Sequence, residues 1–201
     1  MSLSDSRVLV TALVAACVII VALVVQIRSV RDDLAIERTE NLSMPEGTYI
    51  PFSPGLSVAG DSVVVGEVDS EGQLLFVYNT RCPYCLRSID AWNSLARRLD
   101  PNVVEVTGIS MDSIEATSTY RQENALDFES AVLLDARMKD AYRFRTVPQT
   151  ILVNSEGRVV LSRVGVLRHG PAVDSIMEAV RTLSSESADG RRLIVVDSIP
   201  F

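Results

Sequence analysis

Hydrophobic and polar positions from residue 61 onward alternate between strand-like and helix-like spacing. Apolar residues that recur every three or four positions indicate helices over residues 83–99, 113–124, 137–144 and 171–184. Between these segments lie short apolar or β-branched runs, which are typical of strands: SVVVGEV, QLLFVYN, NVVEVTGIS, AVLLD, TILVN and RVVLSRVGV. Strands that alternate with helices predict an α/β domain built in layers around one sheet.

Two Ser-Glu-Gly turns separate neighbouring strands of this pattern. Each places a glycine, Gly72 or Gly157, where a type I turn followed by a bulge needs a left-handed residue. The turns therefore predict two hairpins, SVVVGEV with QLLFVYN and TILVN with RVVLSRVGV.

Residues 8–27 form an uncharged apolar run, VLVTALVAACVIIVALVVQI. Its length is about that needed to cross a hydrocarbon core of ~30 Å as a helix. A helix of a soluble domain carries a polar face, and a cleaved signal peptide has a shorter apolar run before a small-residue cleavage site. The VAAC stretch resembles a lipoprotein box that would lipidate Cys17, but the run stays apolar beyond it. We therefore predict a transmembrane helix.

This helix divides the chain into segments. Residues 43–60 hold three prolines and three glycines, which indicates a linker and the entry to a domain. The predicted segments are a tail over 1–7, the membrane helix over 8–27, a linker over 28–54, a folded domain over 55–185 and a tail over 186–201. Within the last tail, Leu193–Val196 is a candidate edge strand.

Composition excludes several classes of function. The net charge is −7 and no Lys/Arg-rich run occurs, so nucleic acid is not an expected partner. Three cysteines are too few for a disulfide scaffold. With one histidine and one cysteine pair, the chain lacks the usual ligand set of a zinc site. We predict no metal and no cofactor other than a redox-active disulfide.

That disulfide is predicted at Cys82 and Cys85, in NTRCPYCLRSIDAW. Cys82 stands at the start of a predicted helix, where free N–H groups and the nearby Arg81 favour the attacking thiolate. Cys85 lies one turn later, within reach to close the disulfide and release a bound partner. Pro83 is well tolerated in a first helical turn. A structural disulfide closing so small a loop would add little stability, and two unrelated thiols would not explain the strand–CxxC–helix placement.

LLFVYNTRCPYC, taken together with RFRTVPQTILVNSEGRVVLSRVGV, resembles the thioredoxin superfamily. The resemblance implies that Pro148 is a cis proline opposite the redox pair. It also implies that Val147 offers its backbone N–H and C=O to a bound peptide. Tyr84, between the cysteines, is expected to join Pro83 and Arg81 in the surface that contacts the partner.

VVEVTGISMDS followed by a helix and FESAVLLDA resembles the membrane-anchored thioredoxin-like proteins of the TlpA/ResA group. The resemblance covers about residues 55–185. It implies a thioredoxin fold with a central mixed sheet, an extra strand–helix insert and an N-terminal β-hairpin. It further implies a thiol–disulfide oxidoreductase that faces the periplasm or extracytoplasmic side and acts on protein disulfides. Its electrons would come from a membrane thiol carrier, and its role would be a reductase in the maturation of cytochrome c or other redox proteins.

The arginines around the membrane helix point to the other side of the membrane. Arg7 precedes the helix and three arginines follow it before residue 39, which by the positive-inside rule favours a cytoplasmic domain. We give the family resemblance more weight, because a membrane anchor adds little to a cytoplasmic thioredoxin.

Several residues depart from the thioredoxin pattern. Arg81 replaces the tryptophan before the first cysteine, and Phe76 stands where many thioredoxins have a buried acid. Asp90 or water would then have to accept the proton of Cys85. Asn79 occupies the position at which a peroxiredoxin has threonine, which excludes that chemistry. CPYC with TVPQ also resembles glutaredoxins and suggests a less reducing pair. Two alternatives stay open: a disulfide oxidase or isomerase, and a non-catalytic binding or chaperone module.

Overall fold

The chain divides into two compact units, Met1–Asn41 and Leu42–Phe201. The computed structural model describes residues 13, 15–24, 26, 42–66, 68–144 and 146–195, with the side chains of all of these except 136 and 186–195. In the first unit, residues 15–24 are helical and their side chains are exposed.

The predicted transmembrane helix over residues 8–27 lies partly outside the described residues. Of the helices that the structure does describe, none combines the length and the apolar character that crossing a membrane requires. The transmembrane helix therefore stays a prediction.

The second unit alternates strands and helices, as the hydrophobic pattern predicts. Its described strands are β1 (Ser53–Ser57), β2 (Ser62–Val65), β3 (Gly72–Tyr78), β4 (Val104–Ser110), β5 (Glu129–Leu133), β6 (Gln149–Asn154) and β7 (Val159–Val164). Its described helices are α1 (Pro83–Leu86), α2 (Ile89–Arg98), α3 (Ile114–Glu123), α4 (Ala136–Ala141) and α5 (Pro171–Val195). Between α2 and β6, the chain forms β4, α3, β5 and α4, which include the expected strand–helix insert.

The strands form one mixed sheet in the order β2-β1-β5-β4-β3-β6-β7. Strands β3, β4 and β5 run parallel, while β1, β2, β6 and β7 pair antiparallel with their neighbours. Every residue of β3 is buried, because this strand lies inside the sheet and both faces are covered.

Alternate side chains of β3 point into two separate cores. Leu74, Phe76 and Tyr78 pack with residues of α2, α3 and α5 on one face. Leu75 and Val77 pack on the other face, with residues around α4 and from the segment that precedes β1. The period of two along a strand produces this division.

The structure contradicts the first predicted hairpin, in which SVVVGEV is expected to pair with QLLFVYN. Strand β2 pairs with β1 instead of β3, and Ser53 lies opposite Val65. The N-terminal β-hairpin is therefore β1–β2. The second hairpin is confirmed as β6–β7, and Gly157 in its turn has a φ of 74°.

Gly72 does not take the left-handed conformation that the turn pattern predicts, because it is the first residue of β3. A Cβ atom at this position would collide with the carbonyl oxygen of Val153 on the antiparallel neighbour β6. Glycine is present here because two backbones approach closely.

Residues 43–54 are not a free linker. Met44 and Ile50 are buried in the core, and Ile50 N–H donates a hydrogen bond to Gly157 O at 2.8 Å. The prolines and glycines of this stretch form an irregular segment that packs beside the β6–β7 turn, and the compact unit accordingly begins at Leu42, ahead of the predicted boundary at 55.

Two helix boundaries also differ from the prediction. The single helix expected over 83–99 is interrupted at Ser88, whose N–H bonds to Cys85 O at 2.9 Å in a tightened i→i−3 turn. At the other end of the domain, α5 continues past the predicted end at Ser184 to Val195, and the Asp189-Gly190 dipeptide, a common turn signal, does not end it. The prediction of an edge strand is therefore wrong for residues 193–195, which are helical, and Val196 lies outside the described residues.

Candidate active site

The two cysteines lie at the carboxyl end of β3, where the chain turns into α1. Cys82 is the N-cap residue of α1, and Pro83 occupies the first helical turn. The Cys82 side chain is partly buried, whereas Cys85 is 0% exposed, and both are free thiols. The predicted pair is thus asymmetric: one sulfur faces the surface and the other lies in the core.

The structure brings Val147 and Pro148 to Cys82. The Val147–Pro148 peptide bond is cis, as the family resemblance implies. The Cys82 thiol donates to the carbonyl oxygen of Val147 at 3.8 Å. These residues are far apart in the sequence, and the neighbouring positions of β3 and β6 in the sheet explain their contact.

Cys85 lies in an environment that opposes its ionisation. Burial raises the pKa of the Cys85 thiol, and the neighbouring Cys82 and Asp112 raise it further, while a hydrogen bond with the backbone of Asn79 acts in the opposite direction. Phe76 lies fully buried and stacks on Trp92 with ring centroids 5.2 Å apart. Cys85 is therefore a neutral thiol at physiological pH in the dithiol state.

The other predicted contact residues surround the cysteines on the surface. Tyr84 is 55% exposed, and the Arg87 guanidinium lies over its ring at 5.4 Å from the centroid. Arg81 and Pro83 are exposed as well. Asp90, which the sequence suggests as a proton acceptor, is exposed in the first turn of α2. Leu86, 47% exposed, adds an apolar group that sequence reasoning missed.

Asp112 is a second residue that sequence reasoning missed. It follows β4, and its side chain is only 13% exposed. Its carboxylate accepts hydrogen bonds from Asn79 and Thr80, in the loop that leads to Cys82. The signal available in the sequence was a charged residue two positions after a buried strand, because the carboxyl ends of neighbouring parallel strands meet at one edge of a sheet.

Two stacked tyrosines lie in the same core as Cys85. The rings of Tyr78 and Tyr120 have centroids 5.5 Å apart. The Tyr78 hydroxyl donates to Ser130 Oγ at 2.8 Å, whereas the buried Tyr120 hydroxyl has no hydrogen-bond partner among the described residues. Burial raises the pKa of Tyr78 to about 12 and that of Tyr120 above its usual value.

Among the described residues, no group of three or more His, Cys, Asp or Glu side chains has the arrangement that would hold a metal ion. The absence of a cofactor other than the cysteine pair stays a prediction.

Comparison with known proteins identifies the family. The AhpC/TSA family model matches residues 55–162, which is more than half of the chain. The chain belongs to the AhpC/TSA family. The matched region contains both cysteines, Pro148 and all the strands that position them.

Relatives of this family member are redox proteins. Thiol-disulfide oxidoreductase ResA of Halalkalibacterium halodurans is 26% identical over 123 residues, which cover 61% of this chain and 69% of the relative. A putative thiol:disulfide interchange protein DsbE from Chlorobium tepidum has the same fold, with a TM-score of 0.60 and 17% identity. That match covers 70% of this chain and 99% of the DsbE chain. The thioredoxin-like fold and the prediction of a thiol–disulfide oxidoreductase are thereby confirmed at the level of the family.

A peroxiredoxin-like protein from Aquifex aeolicus also shares the fold. Its TM-score is 0.58 at 18% identity, and the match covers 70% of this chain and 88% of that protein. At this level of identity the similarity concerns the fold and not the chemistry. Asn79 still occupies the position at which we expect threonine in a peroxiredoxin.

Proposed function

We propose that the chain is a membrane-anchored thiol–disulfide oxidoreductase that exchanges disulfides with extracytoplasmic protein partners through Cys82 and Cys85. The proposal depends chiefly on the unequal exposure of the two sulfurs. Cys82 is partly exposed beside the Val147 carbonyl, and Cys85 is fully buried. A partner therefore reaches Cys82, and Cys85 acts only on a sulfur that is already joined to Cys82.

The reaction proceeds in two exchanges. The Cys82 thiolate attacks one sulfur of the partner disulfide, the partner's S–S bond breaks, and its other sulfur leaves as a thiolate. Cys85 then gives its proton to water and attacks the Cys82 sulfur, which releases the first partner sulfur and forms the Cys82–Cys85 disulfide. The partner gains two electrons and the cysteine pair loses two. Because burial raises the pKa of Cys85, its deprotonation belongs to the second exchange.

The surface around Cys82 supplies the contacts for a protein partner. The backbone of Val147, held next to Pro148, is available for strand-like pairing with an extended segment. Exposed Tyr84 and Leu86 offer apolar contact area on the helix side of Cys82, and Arg81 and Pro83 complete the surface.

We assign the chain a reductive role in the maturation of cytochrome c or other redox proteins, with a membrane thiol carrier as the electron source. The uncharged run over residues 8–27 and the resemblance to the TlpA/ResA group support this assignment. The rival is a disulfide oxidase or isomerase, which the Pro83–Tyr84 dipeptide permits and which the absence of an acid at Phe76 also permits.

The reduction potential of the pair tests the proposal. The full-length chain, with Cys17→Ser to remove the third thiol, is equilibrated against glutathione. A value near about −270 mV indicates a reductase, and a value of about −120 to −180 mV indicates an oxidase or isomerase. Cys85→Ser should accumulate a mixed disulfide with a disulfide-containing peptide, and the matched Cys82→Ser variant should not. A pair that does not form its disulfide reversibly would overturn the proposal and favour a non-catalytic binding module.

The side of the membrane requires a separate measurement. Alkaline phosphatase fused after Phe201 is active only outside the cytoplasm, and a fluorescent protein that fails to fold after export reports the opposite orientation. Phosphatase activity is the expected result. Fluorescence without phosphatase activity would show that the arginine distribution, and not the resemblance, gives the correct orientation.

A further inference from the structure

Asp112 lies beside the loop that precedes the cysteines because two parallel strands end together. Tyr78, the last residue of β3, is in register with Ser110, the last residue of β4. Met111 N–H bonds to Tyr78 O at 2.9 Å, which carries this alignment one residue further. Residues 79–81 and Asp112 therefore lie next to each other at the edge of the sheet.

The Asp112 carboxylate is occupied by hydrogen bonds on both oxygens. Oδ2 accepts from Thr80 N–H at 2.7 Å and from the Thr80 hydroxyl at 2.8 Å. Oδ1 accepts from the Asn79 side-chain amide at 3.0 Å, and the Arg81 guanidinium lies 4.0 Å away. A carboxylate that accepts three hydrogen bonds from one loop holds that loop in place.

The loop held by Asp112 continues directly into the cysteine pair. The Asn79 side-chain oxygen accepts from Arg81 N–H at 2.9 Å, and the Asn79 carbonyl accepts from Cys82 N–H at 3.1 Å. The hydrogen bonds thus run without interruption from Asp112 through Asn79 to the backbone of Cys82. The Asp112 charge also acts on Cys85, where it opposes the thiolate.

We propose that Asp112 is a positioning residue of the redox pair, which fixes the approach of Cys82 through the Asn79–Arg81 loop. The inference rests on the proposed function.

Two variants test whether the loop held by Asp112 positions Cys82. Asp112→Asn keeps the shape, removes the charge, and turns an amide N–H₂ toward groups that are themselves donors. Thr80→Val removes one of the three hydrogen bonds and leaves the charge in place. Asp127→Asn is the matched control, because Asp127 pairs with Arg97 near the opposite end of α2.

The readouts are the rate at which Cys82 reacts with a peptide disulfide and the equilibrium constant with glutathione, both in the full-length chain. We expect Asp112→Asn to lower the rate about tenfold, which corresponds to about 1.4 kcal/mol and lies within the range for lost buried hydrogen bonds. Its glutathione equilibrium should stay within about twofold of the parent chain, because the loop governs how Cys82 meets a partner and Cys85 is a neutral thiol in the dithiol state. Thr80→Val should slow the reaction by a smaller factor and leave the equilibrium within about twofold of the parent chain.

The outcomes distinguish this inference from the proposed function. If the parent chain forms its disulfide reversibly and Asp112→Asn reacts at the same rate as Asp127→Asn, the inference is overturned and the function stands. If the parent chain forms no reversible disulfide, both are overturned. Should Asp112→Asn fail to fold, a Thr80→Val rate equal to that of the parent chain would still refute the role of the loop.

Discussion

The two stacked tyrosines beside the cysteine pair predict opposite effects of the same substitution. Tyr78 and Tyr120 share one core and one aromatic contact, and they differ in the environment of their hydroxyl groups. Replacement by phenylalanine keeps each ring and its stacking. Any difference between the two variants therefore reports on the hydroxyl groups alone.

For Tyr78→Phe we expect a loss of stability. The substitution removes the 2.8 Å hydrogen bond to Ser130, and the Ser130 hydroxyl is left fully buried with no other partner among the described residues. An unsatisfied buried polar group lowers the free energy of unfolding by about 1–3 kcal/mol. In a domain of this size, each kcal/mol lowers Tm by about 2–4 °C.

For Tyr120→Phe we expect a gain in stability. The Tyr120 residue is only 6% exposed, and its hydroxyl contributes desolvation without a compensating hydrogen bond among the described residues. Removing that hydroxyl should raise the free energy of unfolding by about 1 kcal/mol, since the small space left behind offsets part of the gain.

Urea unfolding of the full-length chain, followed by far-ultraviolet circular dichroism, measures both effects. The slopes of the transitions should stay equal, so that a shift in midpoint reports stability. A Tyr120→Phe variant that loses about 1 kcal/mol or more would refute the reasoning, because it would show that the hydroxyl is satisfied in solution. If Tyr78→Phe leaves the free energy of unfolding unchanged, the hydrogen bond to Ser130 contributes nothing to stability.

Two further predictions concern the same domain. Burial raises the pKa of Cys85, Tyr120 and Tyr142 above their usual values and that of Tyr78 to about 12, so the folded chain retains protons that the unfolded chain releases. Stability should be fully present below about pH 8 and fall as the pH rises, first through Cys85 above about pH 8.5 and then through the tyrosines above about pH 10, by at most about 1.4 kcal/mol per pH unit for each group; equal urea midpoints at about pH 8 and about pH 10.5 would contradict this. Gly72→Ala should lower the free energy of unfolding by about 1–3 kcal/mol, because its Cβ would press on the Val153 carbonyl; an unchanged midpoint would show that β3 and β6 can separate without loss.

Six of the seven described strands, and the helices, could be predicted from the sequence because each has its own hydrophobic period. Strand β1, SPGLS, could not, because its proline and glycine are typical of a turn or linker. The pairing of the strands could not be predicted in the same way. β2 and β3 are adjacent in sequence and separated by a turn motif, but β3 is apolar on both faces and is completed by β4 and β6. The local pattern shows that β3 is buried, and it does not show which strands bury it.

The segment before β1 is a second case in which the local sequence does not show what the segment packs against. Its prolines and glycines correctly predict irregular structure, but irregular structure is not the same as a free linker. Met44 and Ile50 are buried because the β6–β7 turn and the sheet provide a surface for them. That surface is formed by residues about 100 positions later in the chain, so composition within the segment carries no information about it.

In the candidate site, too, some residues could be predicted from the sequence and one could not. The cysteine pair and Pro148 belong to short motifs, so each is visible in its own stretch of sequence. Asp112 has no motif, and its role follows from the parallel alignment of β3 with β4, which places the ends of both strands together. Phe76 fills the core position at which many thioredoxins have a buried acid, and the carboxylate that contacts the loop before Cys82 approaches from the edge of the sheet instead. Asp112 does so from the end of the neighbouring strand, and the loop it holds is the one that presents Cys82.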